Sequence, residues 1–196
     1  MSVISRTPVV AAVVAGALLA GALGACSDTG PKAQASNFTD TLTLATINGS
    51  PLGSTTGLWF FGTQGVPIEN TSSYDVAFDI DTQGRVLLLP VRAVVGGLGS
   101  AHTVGLQRDN SGFDALTKAP GSGYALDSTF VVAPGEVFAV QSADASACGF
   151  SIFSPYIYAK LQVLSVDAGA RMITARYTVD PNCGYRSLMP SGIPKN

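Results

Sequence analysis

The clearest alternation of apolar and polar positions lies near the end of the chain. "YIYAKLQVLSVDAGARMITARYTVD", Tyr156 to Asp180, reads as two strands around a turn of small residues. Ile157, Ala159, Leu161 and Val163 share one face of the first arm. Ile173, Ala175, Tyr177 and Val179 share one face of the second. Opposite residues of an antiparallel pair point to the same side, so the pattern selects a register. A turn over Ala168-Gly169-Ala170 sets Val163 opposite Ala175 and makes the two apolar faces coincide, whereas a two-residue turn opposes apolar to polar throughout. The same register sets Asp167 opposite Arg171 and Pro155 opposite Cys183.

Other segments carry the same period. "YDVAFDI" puts Tyr74, Val76, Phe78 and Ile80 on one face and Asp75, Ala77 and Asp79 on the other, which predicts a half-buried strand. Thr82 to Gly84 reads as a turn. "RVLLLPVRAVV" is apolar on both faces, so it is either a buried strand or an edge strand interrupted at Pro90. Gly57 to Gly62 reads as a short aromatic strand, the stretch from Asp40 as the first strand, and Glu136 to Ala143 as another. Gly96 to Gly135 is rich in Gly, Ser, Asp and Pro and reads mainly as loops and short strands. Helical periodicity is hard to find. The expected fold class is all-β.

The first residues follow a different logic. Arg6, the apolar run Val9 to Ala22 and then "LGAC", Leu23 to Cys26, describe a secretory signal. The run is short of the ~20 apolar residues of a comfortable membrane span. "LGAC" resembles the bacterial lipobox, which implies cleavage before Cys26 and acyl chains on it; the alternative is an ordinary signal with a stray cysteine. Two or three acyl chains hold a protein on a membrane far better than one. Ser27 to Asn37 is small and polar and reads as a flexible tether. The expected organisation is a signal peptide over residues 1–25, a lipidated N-terminus and tether over 26–37, and one all-β domain over 38–196.

Charge excludes some functions. Without Arg6 the mature chain has ten basic and thirteen acidic residues, a net charge of −3, and no basic patch argues for nucleic acid. Once Cys26 is set aside, Cys148 and Cys183 remain. An exported protein meets an oxidising compartment, so one bridge is expected, the alternative being two buried thiols.

Catalytic material is sparse. His102 is the single histidine, and it sits in the glycine-rich stretch "GGLGSAHTVG". There is no zinc spacing, GxSxG or P-loop. "DIDTQG", Asp79 to Gly84, begins like a calcium loop, but Pro90 stands where a bidentate glutamate is needed. A non-enzyme is expected, with a hydrolase as the least favoured alternative. The aromatic residues Trp59, Phe60, Phe61, Tyr74, Phe78, Tyr156, Tyr158 and Tyr177 read as sheet core, some of them available to line a groove.

In order along the chain, "GLWFFGTQGVPIENTSSYDVAFDI", "GFDALTKAPGSGYALDS" and "EVFAVQSAD" followed by "YAKLQVLSVD" resemble the motifs of the HmuY-like haem-binding lipoproteins. The match runs from about Asp40 to Asp180. The resemblance implies an all-β fold, a lipid-anchored bacterial envelope location, at the outer membrane by the usual sorting habit for Ser27 after Cys26, and binding of haem or another apolar ligand for a TonB-dependent receptor. In that family two His or Met side chains between the "GY" and "ADG" strands hold the iron. Leu126 to Ala143 contains neither here, so no ligand is carried over. If haem is bound, His102 is the expected axial ligand, since imidazole binds iron well and no other is present; Met172, Met189, a tyrosine or water would complete the pair. The alternative is an interaction module of the same fold with no ligand.

Overall fold

The computed structural model describes residues 32–69, 73–96, 102–149, 151 and 154–194. Residues from Ala33 onward form one compact unit. It is all-β, with strands β1 (Phe38–Ala45), β2 (Gly57–Trp59), β3 (Gln64–Val66), β4 (Val76–Ile80), β5 (Val86–Pro90), β6 (His102–Asp109), β7 (Ala125–Leu126), β8 (Phe130–Val132), β9 (Val137–Asp144), β10 (Ile157–Asp167) and β11 (Met172–Asp180). Two helical turns, α1 (Val91–Val94) and α2 (Ala145–Cys148), interrupt them. The strands build two antiparallel sheets, β1-β11-β10-β9-β6-β7 and β3-β2-β4-β5-β8. Both contribute to one core: Leu58, Phe78 and Leu88 from the smaller sheet, Phe138, Leu161 and Tyr177 from the larger. This is a sandwich, in which the inner faces of two sheets interdigitate.

The body of the β10–β11 hairpin has the register that its apolar pattern demands, with Val163 opposite Ala175 and Leu161 opposite Tyr177. Its tip differs. The turn spans four residues, 168–171, Asp167 pairs with Met172, and the extra residue is absorbed by a bulge between Val163 and Ser165 that turns Leu164 to solvent. Arg171 therefore does not face Asp167. It leaves the ladder with φ 55° and reaches across the sandwich. Its Nε donates to the Thr46 hydroxyl (2.9 Å) and the Asn48 carbonyl (2.6 Å), and its Nη2 donates to Asp79 Oδ1 and the Ile80 carbonyl (both 3.1 Å). A charge that can be satisfied in the other sheet outweighs an exposed pair at a turn, which contributes little.

Two further expectations are corrected. β4 is not half-buried: all five of its residues are buried, because it lies between β2 and β5 under the larger sheet. His102 is not in a loop. It opens the eight-residue β6, whose partner β9 sets it opposite Asp144. The strand was hidden by the glycines that precede it and by its own Gly105. Gly105 in particular packs under Tyr124, whose Cβ would lie 2.7 Å from an added methyl, and a strand glycine often marks such an approach. Pro90 ends β5 and precedes α1, so the ambiguity over 85–95 resolves as an interior strand that stops at its proline.

The larger sheet is covered on its outer face as well. Phe113, Leu116 and Ala119 pack with Leu188 on Val137, Ala139 and Tyr158, a second apolar cluster. Lys160 on β10 points into it and is fully buried. Its ammonium donates to the carbonyls of Phe113 (2.7 Å) and Leu116 (3.0 Å) and sits 4.4 Å from the Phe113 ring centroid. Arg176 lies 3.9 Å from the same ring and pairs with Asp114 at 3.5 Å. Burial pushes the Lys160 ammonium below the usual lysine range, and Asp114 draws it partly back. Lys160 thus locks the loop over the sheet by satisfying carbonyls that have no strand partner.

Candidate functional site

Cys148 closes α2 and Cys183 follows β11; they are joined in a disulfide with Cα atoms 5.8 Å apart. The bridge pins the chain after β9 to the chain leaving the last strand, beside the Gly184 amide that donates to the Tyr156 carbonyl (2.8 Å). Cys26 lies outside the described residues.

His102 and Asp75 meet between the sheets. Asp75 Oδ1 is 3.1 Å from His102 Nε2 and also accepts the hydroxyl of Ser142 on β9. Its Oδ2 accepts the Phe60 amide at 2.7 Å. The Asp75 backbone is bound too: its amide donates to Leu58 and its carbonyl accepts from Val91. All three side chains are buried. Asp75 therefore ties β2, α1, β6 and β9 together, its backbone holding β2 and α1 and its carboxylate holding Phe60 after β2, His102 on β6 and Ser142 on β9. The sequence placed Asp75 on a polar outer face, and nothing local distinguished it from Asp79.

The residue types are those of a hydrolase triad, but the order is not. A triad needs the imidazole between hydroxyl and carboxylate, so that it can take the hydroxyl proton. Here the Ser142 hydroxyl donates a hydrogen bond to Asp75, and the carboxylate sits in the middle. Among the bonds described, the carboxylate orients the imidazole and the hydroxyl inside the core.

The other candidates are dispersed. Met172 opens β11 at the turn end, while the row of Asp180, nearest His102, closes it. The nine residues of β11 put these ends roughly 25–30 Å apart at the rise of a strand. His102 and Met172 cannot share one iron. Met189 is exposed near the opposite end of β11 from Met172. Tyr177 is buried, its hydroxyl donating to the Thr63 carbonyl (2.9 Å) and its pKa pushed up to about 12 by burial and by Asp40. Asp81 is occupied by its own turn, accepting from the Gln83 and Arg85 amides (both 2.9 Å) and from the Arg85 guanidinium (2.7 Å). No group of three or more His, Cys, Asp or Glu suited to a metal ion occurs among the described residues.

Two surface clefts among the described residues are small and open. One of ≈ 290 Å³ lies between β6, β9 and Tyr156, lined by Thr103, Ala143, Asp144 and Gly149. Another of ≈ 330 Å³ lies at the turn end, lined by Thr43, Ser50, Thr55 and Met172. Both sit at the lower limit for small-molecule sites, which run from about 300 to 1,000 Å³ and are mainly apolar and aromatic.

The chain entering the domain is fixed where the tether was expected to be loose. Asn182 Oδ1 accepts the amides of Gln34 (2.9 Å) and Ala35 (3.0 Å), and its Nδ2 donates to the Ala35 carbonyl (2.9 Å). Asn37 Nδ2 donates to the carbonyls of Ser187 and Met189 (both 2.8 Å), and the Asn37 amide donates to Gly192 (3.1 Å). Asn182 is itself held by Asp180, whose Oδ1 accepts its amide (3.0 Å) and its Nδ2 (2.7 Å). Only a side chain that offers both an acceptor and a donor can grip a strand-like backbone in this way.

Asp180 is fully buried, and its Oδ2 has no hydrogen-bond partner among the described residues. Burial raises its pKa to about 6, although the hydrogen bonds from Asn182 pull it down. The folded state then binds this proton more tightly than the unfolded chain. Its contribution to stability is most favourable below pH 4 and is lost as pH rises through about 6, a swing of roughly 3 kcal/mol at most. Asp180→Asn keeps the acceptor for Asn182 and removes the buried charge. The variant should be more stable than wild type at pH 7.5 by about 1–3 kcal/mol and gain nothing at pH 3.5, as read from urea unfolding at the two pH values.

Compared with protein-family models, curated proteins and solved structures, the chain matches none.

Proposed function

We propose that this chain is a lipid-anchored bacterial envelope protein whose β-sandwich acts as an interaction module at the membrane, without haem and without catalysis. The observation that carries the reading is the position of His102. The ring is buried, and its Nε2 is engaged by a buried carboxylate, so iron at that nitrogen would leave Asp75 short of a partner inside the core. The "LGAC" lipobox supports the anchor and the export, and the order of motifs resembling HmuY-like lipoproteins supports the same location. The disulfide fits an oxidising compartment.

Two measurements test it. Cys26→Ser should leave unprocessed precursor or a soluble species in membrane fractionation; a variant that matures and partitions like wild type removes the anchor. Ferric haem titrated into the purified protein should give no saturable Soret shift. A saturable shift abolished by His102→Ala would restore the haem-carrier reading with His102 as ligand.

A further inference from the structure

The bonds that fix Gln34 to Asn37 place the anchor attachment at one end of the sandwich. That end also collects the start of β1, the end of β11, and the β2–β3 turn, whose Phe60 packs on Tyr177 at 6.1 Å. Four apolar side chains are exposed there: Phe38 (38%), Phe61 (37%), Met189 (48%) and Ile193 (58%). Phe38 and Phe60 both pack against Tyr177, and Met189 and Gly192 bond to Asn37, so the four residues surround the point where the chain enters.

Charge is distributed the opposite way. The far end of the sandwich carries Asp81 and Arg85 in one turn, Asp109 and Glu136 at the ends of β6 and β9, and Asp167 in the hairpin. At the entry end Asp75, Asp144 and Asp180 are buried and Arg92 is paired with Asp127 at 3.1 Å, leaving Asp40 and the basic Lys32, Lys118 and Arg186 at the margin. From Cys26 to Gln34 there are eight peptide steps, at most roughly 28 Å of fully extended chain. An acylated Cys26 therefore holds this end of the domain within that distance of the bilayer.

We propose that the entry end is a membrane-contacting surface, on which Phe38, Phe61, Met189 and Ile193 insert into the interface of the bilayer that holds the acyl chains. The inference rests on the lipid-anchor reading above. Apolar and aromatic side chains at the headgroup boundary gain by burial of their apolar area, and the short linkage makes the encounter intramolecular, so a weak surface suffices. The consequence is orientation: the charged far end points away from the membrane and is presented to partners.

The chain carries its own reporter. Trp59 is its single tryptophan, half-buried, with its ring 6.0 Å from that of Phe61. The full-length protein, matured in a bacterial host, is reconstituted into phosphatidylethanolamine–phosphatidylglycerol vesicles containing a lipid spin-labelled near its headgroup. Mass spectrometry of the N-terminal peptide records acylation of Cys26. Trp59 fluorescence should be quenched in the wild type. In Phe61→Ser/Met189→Ser/Ile193→Ser, whose changes are all at exposed positions, quenching should be lost while the protein still floats with the vesicles. Acylated, vesicle-bound wild type without quenching, or quenching equal in the variant, overturns the surface and leaves the anchor standing. An unmodified Cys26 overturns both.

Discussion

Asp75→Ala should destabilise the fold by about 3–5 kcal/mol, the cost typical of removing one member of a buried, hydrogen-bonded charged group. The loss has three parts. The Phe60 amide, the Ser142 hydroxyl and His102 Nε2 all lose their acceptor inside the core, and unsatisfied buried polar groups cost about 1–3 kcal/mol each, not additively. Asp75→Asn separates shape from chemistry. It is nearly the same size, yet its amide must face either the Phe60 donor or the Ser142–His102 donors, so it should recover only part of the loss. Chemical denaturation of wild type, Asp75→Ala and Asp75→Asn at pH 7.5 checks this. An alanine variant within about 1 kcal/mol of wild type would mean that the sheets are held together elsewhere.

The second large effect is expected at the disulfide. Cys148→Ala/Cys183→Ala should cost about 3–4 kcal/mol, from the entropy released to the unfolded chain when a loop of this length is opened. The separation of 35 residues sets that figure. In a domain of this size it corresponds to a fall in Tm of roughly 10 °C. The effect should also be local. Asn182, which grips Gln34 and Ala35, is the residue before Cys183, so the bridge steadies the dock of the N-terminal segment. Limited proteolysis of the double variant should cut near residues 33–37 before the body of the sandwich opens; cleavage there at the wild-type rate would show that the dock does not depend on the bridge.

The sequence by itself was enough for the all-β class, the body of the β10–β11 register and the pairing of Cys148 with Cys183. These are legible because they are local or arithmetic. A strand with one buried face writes its period into its residues, and the two cysteines other than Cys26 admit one bridge. His102 was visible as a residue and misplaced as a loop, because Gly105 breaks the alternation of β6 for the sake of Tyr124, which follows it by nineteen positions. Asp75 was assigned to the polar outer face of β4, and Arg171 was paired with Asp167 across a turn. Both instead find partners in the opposite sheet. Only the tertiary structure decides such cases: a charged side chain at a strand position reads the same whether water or a distant donor solvates it, and the choice depends on which strands are stacked across the core. The same holds for Lys160 beneath its loop and for Asn182 on the entering chain. Their partners are backbone groups, and backbone groups have no signature in the sequence.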